Sequence, residues 1–443
     1  MSIALSAFCG NAGENNRSGE IMGIVDKYID YANHMAQLEP EKGWERIVLG
    51  FQANSLKTRF LPDKNISKGY QRLEDMMMHL VSGSLGREGS YLWGNIFAPC
   101  EIFHSMGFRT LSIECLGCFL SGYHLEEFFI DYAQSLGIAP TLCSFHKAFV
   151  GAVASGVVPV PEFAVSTSLT CDGNLNTFRY LQKKTNVPFV LLDVPYRDDA
   201  DSVTYLADQL RGMTERMERE LGRTLDMDRL RDALIIENET REELKRFLKL
   251  GLKHYYPGRI IHQLYLMMGT HLMMGTREFL ELIRFMNEEI ETYPLFTGKR
   301  ILWVHLLPYY QKTLQEYFNH NERYQILASD VVLDSTEELD ASRPYESLAR
   351  KLIHNVFNGS YRHKAEYISS LVDEIDPDAV IHFNHWGCKQ ADGGSVILKE
   401  ELKDRVPMLI LDGDAVDHRN SHDGQIRTRL EAFLEMIEEA RAC

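Results

Sequence analysis

Short apolar, β-branched runs alternate with helical stretches in two separate blocks of this sequence, and a long helical block divides them. In the first block, EFAVSTSLTC (162–171) and PFVLLDVPY (188–196) flank the helical stretch NLNTFRYLQKKT. Strand, helix, strand at this spacing predicts a parallel βαβ unit. FRTLSIECLGC reads as a further strand and its exit, and HLEEFFIDYAQSLG as a helix ended by glycine. The pattern returns in residues 298–443, where GKRILWVHLLP, YQILASDVVLD, DAVIHFNHWGC and VPMLILDGDAV are strand-like and HKAEYISSLVDEID and IRTRLEAFLEMIEEA are helical. Residues 201–293 are helical almost throughout, and residues 20–85 carry apolar residues at spacings of three and four, the mark of amphipathic helices. A Gly/Ser-rich break, SGSLGREGS (82–90), ends the N-terminal stretch. The predicted fold is therefore α/β, with two parallel-sheet, Rossmann-like lobes around a cleft and helical N-terminal and central segments. The predicted boundaries are a helical region at 1–89, a lobe at 90–200, a helical connector at 201–295 and a second lobe at 296–443. The near-repeat LMMGTHLMMGT (266–276) is too short to be an architectural repeat and reads as a Met-lined core turn.

The 443 residues are 45% hydrophobic and 25% charged, ordinary for a globular protein of two or three domains. A formal net charge of −16 argues against a nucleic-acid partner and against an anionic membrane surface. It leaves room for an anionic substrate in a locally positive site. No stretch approaches the roughly 20 apolar residues of a membrane span. The N-terminus lacks the basic start of a signal peptide. A cytoplasmic location is expected, with the eight cysteines reduced.

Three of these cysteines stand where α/β proteins build sites. Cys171 ends the run AVSTSLT and is followed by Asp172 and Gly173; Cys388 ends AVIHFNHWG and is followed by Lys389 and Gln390. Both lie at predicted strand exits, in separate lobes, and a cleft would bring them together. Cys143 lies in PTLCSFHKAF, after a predicted helix and a proline. Three thiolates around one iron–sulfur cube leave one iron without a cysteine ligand, open to substrate or water. The competing reading is three unrelated buried thiols, because no compact CxxC…CxxC pattern is present. Cys115 and Cys118 form the one CxxC, which lacks a second half and reads as buried or cluster-adjacent thiols. Cys9 and Cys443 lie near the termini and read as incidental.

No P-loop, no GxGxxG after a strand and no GxSxG is present, so binding of ATP or NAD by those routes and serine hydrolysis are not expected. His382 and His385, and His418 and His422, could ligate a metal, but site-lining or capping histidines are more common. Asp412, Asp414 and Asp417 follow a predicted strand and read chiefly as turn and cap formers.

At these residues the sequence resembles the subunits of 2-hydroxyacyl-CoA dehydratases and benzoyl-CoA reductases. The matching stretches are FAPCEIFHSMGFR, LCSFHKAFVGAVASG, STSLTCDGNLNTFRYL, VPFVLLDVPY, DAVIHFNHWGCKQ and VPMLILDGDAVDHRNSHDGQIRTRLEAFLEMI, in that order, over about residues 90–440. The resemblance implies a heterodimer of similar subunits, each holding a [4Fe–4S] cluster on three cysteines, here Cys143, Cys171 and Cys388. It implies a separate ATP-dependent iron–sulfur activator, which fits the lack of a nucleotide motif in this chain. It implies an oxygen-sensitive radical lyase acting on an (R)-2-hydroxyacyl-CoA. One electron enters the thioester carbonyl, and the resulting ketyl radical expels the 2-hydroxyl group and acidifies the β C–H. The alternatives are reduction of an aromatic acyl-CoA ring, and a non-catalytic electron-relay subunit.

Adjacency to the cysteines makes Ser144, His146, His385 and Gln390 the candidate catalytic residues. Lys147 or Arg419 would meet the CoA phosphates. One branch of the family carries a double-cubane cluster and needs more cysteines. Asp334 and Ser335 stand where the strand before them exits, which argues against that branch.

Overall fold

The computed structural model describes residues 17–85, 91–122, 124–335 and 337–439. Cys9, Cys443 and most of the 82–90 break lie outside the described residues. Among the described residues eight strands form two four-stranded sheets, and every pairing within the sheets is parallel. In the first sheet β1 is Tyr91–Gly94, β2 Arg109–Ser112, β3 Ala164–Thr167 and β4 Phe189–Leu192, in the order β2-β1-β3-β4. In the second β5 is Lys299–Val304, β6 Tyr324–Ser329, β7 Ala379–His385 and β8 Met408–Gly413, in the order β6-β5-β7-β8. The two orders are the same topology. Each sheet reverses direction once, between β1 and β3 and between β5 and β7, and sites in open parallel sheets form at the carboxyl ends beside such a reversal.

The strands are apolar runs because both faces are covered. Trp93 in β1 and Trp303 in β5 each occupy one of the two inner strands of their sheet and are fully buried. The N-terminal helices are amphipathic: in Pro40–Phe60 the buried residues include Trp44, Ile47, Phe51 and Ser55, a three-to-four repeat along one face. The central block consists of helices Ala200–Leu221, Met227–Gly251, Ile260–Leu272 and Arg277–Ile290. Asp199 caps the first by accepting the Ser202 N–H at 2.8 Å, and Gly222 ends it in left-handed backbone (φ 65°). Glu289 of the last helix accepts the N–H groups of Lys68 and Gly69, both at 2.8 Å, so a central carboxylate caps the helix Lys68–Leu85.

Three sequence expectations are refined. Tyr91–Gly94, which carried no strand signal of its own, is an inner strand. The stretch read as a strand and its exit is a strand only to Ser112; Ile113–Gly122 is a helix whose residues are nearly all buried. LMMGTHLMMGT is the end of the helix Ile260–Leu272 and the turn after it, with Met267, Met268 and Met274 in the core. No helix among the described residues is long and apolar enough to cross a membrane.

Candidate functional site

Cys171 lies four residues beyond the end of β3, and Cys388 three beyond the end of β7, the equivalent strands of the two sheets. Cys171 is the N-cap of the helix Asp172–Thr185, and Cys143 is the N-cap of the helix Ser144–Ala154. Cys388 stands immediately before the single turn Lys389–Asp392, whose Asp392 N–H donates to its carbonyl at 3.1 Å. All three sulfurs therefore sit where unpaired backbone N–H groups concentrate positive potential.

The chain path brings them together. Gly387, in left-handed backbone (φ 87°), packs so closely that a Cβ there would lie 2.7 Å from the Cys143 nitrogen and 2.8 Å from its Cα. Only glycine admits that approach. At Gly173 a Cβ would lie 3.1 Å from His146 Nε2 and 3.4 Å from Cys171 Sγ, so the space beside this sulfur is also kept by a missing side chain. Cys143 Sγ is 3.1 Å from His385 Nε2, and Cys171 Sγ is 3.8 Å from His146 Nε2.

Burial drives the Cys143 thiol well up, and the neighbouring Cys388, Cys171 and Asp414 add to it; the Phe145 N–H pulls the other way. Burial also pushes Cys171 up to about 12, with Cys388 and Glu114 adding to it and the N–H groups of Asn174 and Gly173 opposing. Two raised thiols, each beside the same third cysteine, do not ionise together readily unless a positive centre joins them. A metal or iron–sulfur cluster is such a centre, so this donor set fits one. The three are partly exposed, whereas Cys100, Cys115 and Cys118 are buried. Cys100 donates to the His271 carbonyl at 3.0 Å, and Cys115 and Cys118 lie within the helix Ile113–Gly122.

The two histidines are fixed by their second nitrogens. His385 Nδ1 accepts the Ala415 N–H at 3.0 Å, which leaves the proton on Nε2, toward Cys143. Burial holds His146 down to about 4, and its Nδ1 is 3.1 Å from Thr177 Oγ1. Ser144 donates to Asp414, which also accepts the N–H groups of Val416 and Asp417 and so shapes the loop after β8. Gln390 donates to the Phe357 carbonyl at 3.3 Å, and its own side-chain oxygen is buried without a partner. His382 does not join this group: it lies in the core with Tyr361 Oη 3.1 Å from its Nε2. Asp417 caps the turn His418–Asn420, as its place after the strand predicts.

A groove of about 600 Å³ opens beside Cys143, lined by Ser144, Lys147, Trp386, Lys389, Asp414 and Arg419. Lys147 donates to the Pro140 carbonyl, and Arg419 is held by Asp417 and Asp131, so two of the groove's cations are already engaged. A second cavity of about 200 Å³ lies between the exits of β1 and β6, lined by Phe97, Glu101, His271, Asp334 and Lys351 among others. Its buried charges had no sequence signal, because acidic and basic residues on helices read as solvated faces.

Comparison with known proteins gives the family. Residues 95–437 match the family described as 2-hydroxyglutaryl-CoA dehydratase, D-component. The alpha subunit of (R)-phenyllactyl-CoA dehydratase from Clostridium sporogenes is 20% identical over 364 residues, 76% of this chain and 87% of that protein. The alpha subunit of lactoyl-CoA dehydratase from Anaerotignum propionicum is 20% identical over 384 residues, 78% and 90% of the two chains. One of the subunits of benzoyl-CoA reductase from Thauera aromatica is 21% identical over 349 residues, 70% and 80% of the two. With more than three quarters of its length matched, the chain belongs to the family of 2-hydroxyacyl-CoA dehydratase and benzoyl-CoA reductase subunits.

Proposed function

We propose that this chain is the iron–sulfur subunit of a radical 2-hydroxyacyl-CoA dehydratase, with Cys143, Cys171 and Cys388 as ligands of one [4Fe–4S] cluster. The observation that supports the reading is that Cys143 and Cys171 cap helices of one lobe and that Cys388 of the other lobe comes near enough to raise both thiols, with Gly387 packed on Cys143. A cluster held there would supply low-potential one-electron transfer and, at an iron free of cysteine, Lewis-acid chemistry toward the substrate. The helix N-terminal N–H groups offset the cluster's negative charge. His385 and His146 orient the sulfurs of Cys143 and Cys171. Ser144, on the groove, and Gln390, with its unpartnered oxygen, are the polar groups nearest in sequence to the ligands and are assigned to substrate. The groove beside Cys143 receives the CoA arm, with Lys389 as the lining cation that holds neither the Pro140 carbonyl nor the Asp131–Asp417 pair.

The lobes predicted at 90–200 and 296–443 carry the ligands, and the helices described within the regions 1–89 and 201–295 brace them. The relatives are themselves named as single subunits of dehydratases and a reductase, which supports a heterodimer with a second, similar chain. A separate ATP-dependent activator would supply one electron; the substrate ketyl radical would expel the 2-hydroxyl as hydroxide, lose a β-proton and give the electron back, leaving the enoyl-CoA. Reduction of an aromatic acyl-CoA is the second reading, favoured by a match to the benzoyl-CoA reductase chain as high in identity as those to the dehydratases.

The test is anaerobic purification with the neighbouring subunit, iron and sulfide analysis, and a product assay on 2-hydroxyacyl-CoA and aryl-CoA substrates with activator and ATP. Four iron and four sulfide per chain with an enoyl-CoA product is the expected outcome. A ring-reduced product would move the chain to the second reading, and an iron-free active complex would overturn both.

A further inference from the structure

On the face of the molecule next to the groove, three side chains from both lobes meet. His124 stands in the connection before the helix Glu126–Ser135, Glu126 begins that helix, and His418 lies just after β8. One ligand atom from each lies within 4.8 Å of the others. His422, the sequence neighbour with which His418 could have shared a metal, is not among them; His418 pairs across the lobes instead.

The hydrogen bonds fix the His418 tautomer. Ser121 has one hydroxyl proton and donates it to the Val416 carbonyl at 2.8 Å. His418 Nε2, 3.0 Å from the same oxygen, must therefore be the donor in that contact. Its Nδ1 is left as a bare lone pair, and it faces Glu126 Oε1 at 3.7 Å. The Glu126 side chain is fully buried, and neither carboxylate oxygen has a hydrogen-bond partner; only the backbone N–H groups of Glu126 and His418 approach it. Burial pushes the Glu126 carboxyl up to about 8, and it faces the Nδ1 lone pair. A buried carboxyl with so little to satisfy it is costly to ionise unless a cation completes it.

The surroundings are preset for such an ion. Tyr310 stacks on the His418 ring with centroids 3.7 Å apart, and His124 meets that ring edge-on at 4.5 Å. His124 sits in left-handed backbone (φ 52°), and its carbonyl accepts from Asn33 at 3.0 Å. Two imidazoles and one carboxylate are the three-protein-ligand set of a tetrahedral zinc ion with one open position. Bonds of about 2.0–2.1 Å at a tetrahedral angle place ligand atoms about 3.4 Å apart, within a small side-chain adjustment of the spacing here.

We propose that His124, Glu126 and His418 form a zinc site that clasps the two lobes together beside the groove, independent of the three-cysteine site. The clasp joins contacts that already cross this seam, Ser121 to Val416 and Arg419 to Asp131.

The test uses the full chain with its iron content recorded, titrated with Zn²⁺ alone and with Co²⁺ alone. A Cys171→Ser background keeps the cysteine site from contributing. One zinc per chain is expected. Co²⁺ should give d–d bands without thiolate-to-metal charge transfer. Glu126→Gln should weaken binding at least about tenfold. His124→Ala, at an exposed position, should do the same and serves if the buried substitution does not fold. Zinc should raise the melting temperature of the parent and not of His124→Ala. Equal zinc affinity in parent and His124→Ala, or a cobalt spectrum dominated by thiolate charge transfer, would overturn the site.

Discussion

The imidazole of His385 lies 3.1 Å from the sulfur of Cys143, although 242 positions separate them in the sequence. The Ala415 amide donates to the far ring nitrogen, so the near one carries the proton and aims an N–H at the sulfur. Such a bond favours the more negative, reduced state of a thiolate-held cluster. His385→Gln should leave the iron content unchanged and lower the midpoint potential, on the order of 50 mV for a one-electron couple. A redox titration followed by electron paramagnetic resonance reads this directly. An unchanged potential would mean the contact is only packing.

Gly387 carries the close approach of Cys388 to Cys143. Alanine there meets two penalties: left-handed backbone, and a Cβ 2.7 Å from the Cys143 nitrogen. The backbone term alone is about 1–2 kcal/mol. Gly387→Ala should lower both the melting temperature and the iron bound per chain. Alanine at Gly212, where a Cβ meets open space and the backbone is helical, should leave the iron content unchanged and raise the melting temperature slightly.

Much of this was legible in the sequence, and the reasons for the exceptions are physical. β3, β5, β7 and β8 are apolar runs ended by polar turns, so their existence and the sites at their ends could be read. The run from Cys115 to Leu120 has no polar face, and such a run does not reveal whether it is helix or strand. YQILASDVVLD ceases to be a strand at Ser329, because Asp330 turns inward to take the His305 N–H at 2.6 Å and the Lys364 ammonium at 2.9 Å. The cysteines were legible as strand-end residues, and motif order tied them to a family. The contacts of Cys143 with His385, and of Ser144 with Asp414, join residues more than 240 positions apart and leave no local mark.

Lys351 lies between Glu101 and Glu237, 2.7 Å from the latter, and Arg241 also pairs with Glu237. Removing the ammonium leaves two buried carboxylates facing each other. Lys351→Met should destabilise the chain by about 3–5 kcal/mol, read as a lower urea midpoint. The double variant with Glu101→Gln should recover part of the loss, since the carboxyl left without a cation is then gone. No recovery would assign the loss to packing of the lysine stem.

Glu74 should give stability a measurable acid limb. Burial alone would raise its carboxyl, but His262 and Arg259 outweigh it and hold the group down to about 2, from an ordinary value of 4.5. A folded-state value below the unfolded one contributes stability above about pH 4.5 that is lost as pH falls toward 2. The gap in urea midpoint between the parent chain and Glu74→Gln should therefore be full at pH 6 and shrink on acidification below about 4.5. A gap that does not change with pH would show that the carboxylate's charge is not what stabilises the helix Lys68–Leu85 against its neighbours.

The central claim is that this chain carries its own cluster on Cys143, Cys171 and Cys388, with an iron open to substrate. The most direct measurement is electron paramagnetic resonance of the anaerobically reduced complex, with and without acyl-CoA, on the parent and on Cys171→Ser in this chain alone. The parent should show a cluster signal that shifts when acyl-CoA is added, and Cys171→Ser should remove that responsive signal while the partner's signal persists. A spectrum that Cys171→Ser leaves unaltered would contradict the ligand assignment. A cluster signal from this chain that ignores acyl-CoA, while the partner's responds, would contradict the open iron and leave the chain as an electron relay.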